Sequence, residues 1–178
     1  SLIHIDVDKK NQCYSCLEGK FIIGKSTKEQ KNFDKLVFAI RNIIDATIPH
    51  FIKIIGSSAF DNCIKIKRIE FQSNSELREI RENSFSCSSI KKISIPPHVI
   101  KIGENAFYEC KKLSRIDIPE NSELKIIERN AFQRTLIQEI FIPANTDLQY
   151  ECFSYAYKLT NIKISANNKN YKSDEGKF

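Results

Sequence analysis

Six cysteines and three histidines are the side chains of this 178-residue sequence most able to do specific chemistry. Cys13 and Cys16 have the C-x-x-C spacing of a redox dithiol or of half a zinc site. A redox dithiol needs a helix N-terminus in a βαβ setting, and a zinc ion needs two further ligands. Neither stands nearby, so the pair reads as strand or loop thiols, with a disulfide or a metal or redox role as the alternatives. Cys63, Cys87 and Cys110 each follow a phenylalanine by two or three residues, and Cys152 directly precedes one. A residue type that packs as a small hydrophobe suits such places, so these four are expected as free, buried thiols rather than as part of a disulfide framework.

Nothing else assembles a reaction centre. His4, His50 and His98 are far apart, acidic residues are dispersed among lysines, and two of the five glycines, Gly56 and Gly103, fall in turns of a repeat. No nucleophile, base and orienting group can be lined up, and no glycine-rich loop cradles a phosphate. The expectation is a non-enzymatic chain with no catalytic residues, no metal and no cofactor. The net charge of +6, from 28 basic and 22 acidic residues, is too mixed in sign for a nucleic-acid track. No apolar run is long enough for a membrane helix, and no N-x-Ser/Thr sequon occurs. A start at Ser1 reads as a processed or excised piece.

Such residues need a scaffold, and the scaffold is written as a repeat. The segments IGSSAFDNC, IRENSFSC, IGENAFYEC, IERNAFQRT and LQYECFSYA centre on Phe60, Phe85, Phe107, Phe132 and Phe153, with gaps of 25, 22, 25 and 21 residues. After each comes an apolar-x-x-apolar-x-apolar strand pattern, as in Ile90, Ile93 and Ile95. A further copy runs through Ile43, Ala46 and Ile48, and Ile3 and Ile5 open another, which makes seven rungs. All five prolines (Pro49, Pro96, Pro97, Pro119, Pro143) fall just after a rung, where a missing N–H costs little. SNSEL at 73–77 and ENSEL at 120–124 lengthen alternate copies, which suggests duplication of a two-repeat unit. Units this short cannot bury their apolar face alone and must stack. The fold expected is all-β: a solenoid with parallel strand ladders and a β-hairpin inserted near the N-terminus, from KFIIGKS (20–26) and DKLVFAIR (34–41). A helix over 33–45 is the weaker alternative for that region.

The wording IPPHVIKIGENAFYECKKLSRIDIP (95–119) resembles the leucine-rich repeat of BspA-like surface proteins, also found in treponemal repeat proteins, and its Ile-, Lys- and Asn-rich composition is similar to the protozoan, trichomonad-like expansion of that family. Thr135 and Ala156 depart from the pattern at the cysteine position. The resemblance covers roughly residues 43–165. Residues 1–42 are then expected as a partial first coil with a hairpin module, and 166–178 as the start of the next module, since 164–178 echo 5–21 down to the shared Glu-Gly-Lys-Phe. The resemblance implies a cell-surface or extracellular location and a protein-binding or adhesion role, in a fragment of a larger array, with a host or matrix protein as partner. A cytoplasmic structural or scaffold array that associates with itself is the alternative. No nucleic-acid partner and no membrane span in this piece are expected.

The outward positions of the rungs are the expected partner-binding face. They form two rows: Arg68, Lys92, Arg115, Glu139 and Asn161, and beside them Glu70, Ser94, Asp117, Phe141 and Lys163. Phe141 is the odd member, an aromatic where the other copies are polar. It is either a contact residue for a partner or packed under the 143–150 loop.

Overall fold

Period-two alternation decides which side chains enter the core. In Arg68–Phe71 the side chain of Ile69 is buried while Arg68 and Glu70 are exposed. The computed structural model describes residues 2–172, and its regular elements are fourteen β-strands. Strands β4 (Asp45–Ile48), β6 (Arg68–Phe71), β8 (Lys92–Ser94), β10 (Arg115–Asp117), β12 (Glu139–Ile142) and β14 (Asn161–Ile164) make one wall, the rung wall. The opposite wall is one eight-stranded sheet. It runs through β1 (Tyr14–Leu17), β2 (Phe21–Gly24), β3 (Lys35–Ala39), β5 (Ile54–Ile55), β7 (Glu79–Ile80), β9 (Lys101–Ile102), β11 (Ile126–Ile127) and β13 (Asp147–Leu148) in that order. The expected all-β solenoid with parallel ladders is the architecture found, and β3 excludes a helix over 33–45.

The corner between the walls is a stack of phenylalanines. Phe60, Phe85, Phe107, Phe132 and Phe153 lie 5.0, 5.2, 5.2 and 5.9 Å apart, with ring planes within 13° of parallel. The residue before each is small and buried: Ala59, Ser84, Ala106, Ala131, Cys152. At the first coil Ala39 takes the corner place, its N–H donating to Ala59 O (2.9 Å) as Phe60 donates to Ser84 O (2.7 Å). Phe21 of β2 supplies the missing ring, edge-on to Phe60 at 6.1 Å. Gly103 is required by close approach, because a Cβ there would lie 2.8 Å from Arg81 C and from Glu82 N of the adjoining coil.

Two expectations need correction. The rung wall has six strands, not seven: Ile3 is exposed, and Ile5 N–H donates to Gly19 O rather than to a neighbouring rung. The cause is the turn at Glu18 and Gly19, both at positive φ (53° and 64°), which folds β1 antiparallel onto β2 across a three-residue loop, residues 18–20. The antiparallel module is therefore three-stranded, β1-β2-β3, and sits at the edge of the eight-stranded wall. Of the C-terminal echo, residues 173–178, including Glu-Gly-Lys-Phe, lie outside the described residues. Tyr171 Oη accepts from Leu148 N–H at 3.0 Å, on the edge strand β13.

The rung wall is not one ladder but three pairs: β4 with β6, β8 with β10, and β12 with β14. Breaks fall after β6 and β10, the strands followed by SNSEL and ENSEL. These insertions bond backwards, Glu76 N–H to His50 O and Glu123 N–H to Pro97 O, both at 2.8 Å. Asn168 Nδ2 likewise reaches Pro143 O at 2.7 Å. Each longer coil thus clamps onto the shorter coil before it and leaves the next step open. Proline is not the deciding factor. Pro119 lacks the N–H that Gln72 uses toward Ile48 O, yet β8 and β10 remain paired.

All six cysteines are free thiols. Cys63, Cys110 and Cys152 are buried, as expected; Cys87 is half-buried, at a corner residue with φ 55°. Cys110 Sγ donates to Phe85 O at 3.0 Å and stands 3.3 Å from Ser88 Oγ. Burial pushes the Cys110 and Cys152 thiols up to about 12 and raises Cys63 as well. Cys16 is half-buried and donates to Ile5 O, while Cys13 is exposed.

Four outcomes follow from this packing. Phe107→Ala should cost about 3–5 kcal/mol in denaturant unfolding, with exposed Lys111→Ala within about 0.5 kcal/mol of wild type; a loss below about 1 kcal/mol for Phe107→Ala would remove the ring from the core. Ser84, fully buried with a hydroxyl that has no partner among the described residues, stands where three coils have alanine, so Ser84→Ala should stabilise by about 1–2 kcal/mol in the same melt. In native protein an aromatic disulfide reagent should modify Cys13 first and leave Cys110 and Cys152 intact until unfolding. Raised thiol pKa values favour the folded state only while unfolded thiols also stay protonated. Stability should therefore fall between roughly pH 9 and 12, as unfolded thiolates form first. Cys110→Ala/Cys152→Ala should flatten that alkaline slope, and an unchanged slope would contradict the burial.

Candidate functional site

Strand register places the outward rows together. Asp45 faces Arg68, Lys92 faces Arg115 and Glu139 faces Asn161, while Ser94 faces Asp117 and Phe141 faces Lys163. The ten expected face residues therefore share the solvent side of the rung wall. Most are exposed; Asp117, Phe141 and Asn161 are half-buried. The opposite wall offers less, because β5, β7, β9, β11 and β13 are two residues each.

Charges on this face are largely answered within it. Arg68 lies between Asp45 (3.5 Å) and Glu70 (3.4 Å), Arg115 Nε donates to Asp117 Oδ1 at 2.7 Å, and Lys163 reaches Glu139 at 2.9 Å. Ser94 Oγ adds a bond to the other Asp117 oxygen at 3.2 Å. Exposed pairs of this kind contribute about 0–1 kcal/mol each, so they order the face more than they hold the fold. Lys92 has no ion pair among the described residues.

The break between β6 and β8 opens a cleft of about 650 Å³. Arg68, Glu70 and the half-buried Phe71 line one side, Lys92, Ser94 and His98 the other. A groove with an aromatic floor and both charge signs on its rim can take an amphipathic side chain. Covalent chemistry would need a nucleophile beside a base. His98 Nδ1 instead lies 2.7 Å from Glu123 Oε1, whose other oxygen accepts from Arg78 Nη1 at 2.5 Å. The His98 hydrogen bond, with Arg78 behind it, holds the exposed Glu123 carboxyl below its ordinary range. His50 Nδ1 meets, among the described residues, only Gln72 Oε1, at 3.4 Å. Among the described residues no three His, Cys, Asp or Glu side chains gather where a metal ion could sit, and no helix is long and apolar enough to cross a membrane.

Some polar roles escape a reading of the sequence. Buried Asp34 accepts from Ser26 N–H, Ser26 Oγ and Gln30 Nε2 at 2.8–2.9 Å and so fixes the loop before β3. Arg129 pairs with Glu104 of the coil before and stacks over Tyr150. The Asp34 bonds stay within one loop, whereas the Arg129 contacts cross roughly one coil and become readable only once the register is known.

A family model, the BspA type leucine rich repeat region, matches six copies over residues 31–160. No match to a curated protein was found. Among solved structures, the pneumococcal vaccine antigen PcpA is 26% identical with a TM-score of 0.71, over 74% of this chain and 33% of PcpA. A leucine rich cell surface protein from Faecalibacterium prausnitzii is 22% identical with a TM-score of 0.53, over 81% and 48% of the two chains. A leucine-rich repeat protein from Bacteroides capillosus is 21% identical with a TM-score of 0.56, over 86% and 99%. The chain thus spans a third of the first and about half of the second, and the latter two likenesses speak for the fold alone. With six repeat copies matched over most of its length and the same solenoid in its walls, the chain belongs to the BspA-type leucine-rich repeat family.

Proposed function

We propose that the chain is a non-enzymatic protein-binding module of a cell-surface adhesion protein, and that it binds a host or matrix protein through the rung wall. The observation that carries this reading is the asymmetry of the two walls. The rung wall presents two register-aligned rows of outward side chains and a cleft between β6 and β8, while the opposite strands are two residues long. Likeness to a pneumococcal vaccine antigen at 26% identity supports a surface location.

Within the rung face, Phe141 is the residue most able to act as an anchor, since aromatics flanked by polar groups dominate interface energetics. Glu139 beside it and Arg115 on the strand before set charge, which acts mainly on association rate and salt dependence. Binding to immobilised extracellular-matrix proteins, read by biolayer interferometry, tests the reading. Phe141→Ala and a triple Arg68/Lys92/Arg115 reversal to glutamate should each weaken binding at least about tenfold. Substitutions at Lys101 and Lys125 on the opposite wall should change it less than about twofold. Loss confined to the Lys101 and Lys125 variants would place the partner on the other wall.

A further inference from the structure

Three successive links from corner to rung, CIKIKR (63–68), CSSIKK (87–92) and CKKLSR (110–115), carry eight lysines and arginines and no carboxylate. That local excess is larger than the +6 of the whole chain. Stacking sets the links side by side, through Lys67 N–H to Ile44 O (2.7 Å), Ser89 N–H to Cys63 O (3.3 Å) and Ser114 N–H to Lys91 O (3.0 Å). Between them runs a groove of about 350 Å³, rimmed by Lys65, Lys67, Lys91 and Lys112. Its apolar lining is Ile44 and Ile64, which are 50% and 64% exposed.

Several cations elsewhere in the solenoid are answered across or within coils, as in Lys53–Glu76, Lys101–Glu128 and Arg134–Glu109. Among the described residues none of the four rim lysines has a carboxylate within ion-pair distance. Cations lined up at the coil spacing raise the local potential and draw anions. Two exposed isoleucines in the same groove gain nothing from an anion but gain from being covered by an apolar group. The rim lysines belong to coils flanked by others on both sides, while Ile44 lies on the first coil, beside the edge strand β4.

We infer that this strip docks an acidic protein segment that carries a bulky apolar side chain, the carboxylates meeting the four lysines and the apolar group covering Ile44 and Ile64. A sulfated glycan or a nucleic acid would satisfy the charge but leave the isoleucines bare. A polypeptide supplies both. The four rim lysines of the groove are not among the outward rung-row residues, although Arg68, Lys92 and Arg115 of those rows end the three links, and docking in the groove does not depend on Phe141.

The test is fluorescence anisotropy on the full chain with three labelled probes: a glutamate-rich peptide with a central phenylalanine, the same peptide with alanine in its place, and a heparin fragment. The phenylalanine peptide should bind saturably, lose affinity as salt rises, and bind at least about tenfold more tightly than the alanine peptide. Combined Lys65→Gln, Lys67→Gln, Lys91→Gln and Lys112→Gln should weaken it at least about tenfold, as should Ile64→Ser alone. Lys9→Gln, Lys10→Gln, Lys31→Gln and Lys125→Gln together, which remove the same charge elsewhere, should stay within about twofold, as should Phe141→Ala. The inference is overturned by absence of saturable binding, by heparin or the alanine peptide binding as tightly as the phenylalanine peptide, or by the control lysines costing as much as the strip. It is equally overturned if Phe141→Ala abolishes binding of the peptide.

Discussion

One stack of rings sets the geometry of the solenoid. Phe60, Phe85, Phe107, Phe132 and Phe153 follow each other at 5.0–5.9 Å, close to the roughly 4.8 Å between hydrogen-bonded strands. Ring stacking and backbone pairing can therefore share one pitch. From β5 onward, the strand of the eight-stranded wall always begins six residues before its phenylalanine. That fixed distance keeps the wall unbroken through every coil. The rung strands have no such tether. From β6 onward they begin eight residues after the phenylalanine in the longer coils and seven in the shorter ones. All length variation gathers around them, and the rung ladder divides into pairs.

That division shapes the surface. A continuous ladder would present a flat face, with little concavity for a partner's side chain. Because the longer coils bond back to the shorter ones through Glu76, Glu123 and Asn168, the step from β6 to β8 opens and the cleft forms there. The two-coil period, visible as SNSEL and ENSEL, thus governs both packing and surface shape.

Much of this was legible in the residues. The corner phenylalanines, the small residues before them and the alternation in each rung gave both walls and the stack, because periodic burial leaves a periodic pattern. The hairpin strands β2 and β3 were legible for the same reason. Strand β1 was not, since Tyr14-Ser-Cys-Leu17 alternates weakly, and Ile3 and Ile5 were misread as a rung although the Glu18-Gly19 turn directs the chain antiparallel. Pairing in twos was hidden too, because it depends on which neighbour an inserted backbone N–H reaches. The candidate face was legible as outward positions, but its cleft was not, and the burial of half of Phe141 depends on packing across coils.

The claim that the rings couple one coil to the next is tested most directly by a double-mutant cycle. Phe85→Leu and Phe107→Leu, singly and together, would be measured by denaturant unfolding beside the separated pair Phe60→Leu and Phe132→Leu. The stacked pair should show a coupling of about 0.5–1.5 kcal/mol, and the separated pair should add to within about 0.5 kcal/mol. Additivity in the stacked pair, or equal coupling in both, would mean that the rings fill space without linking the coils.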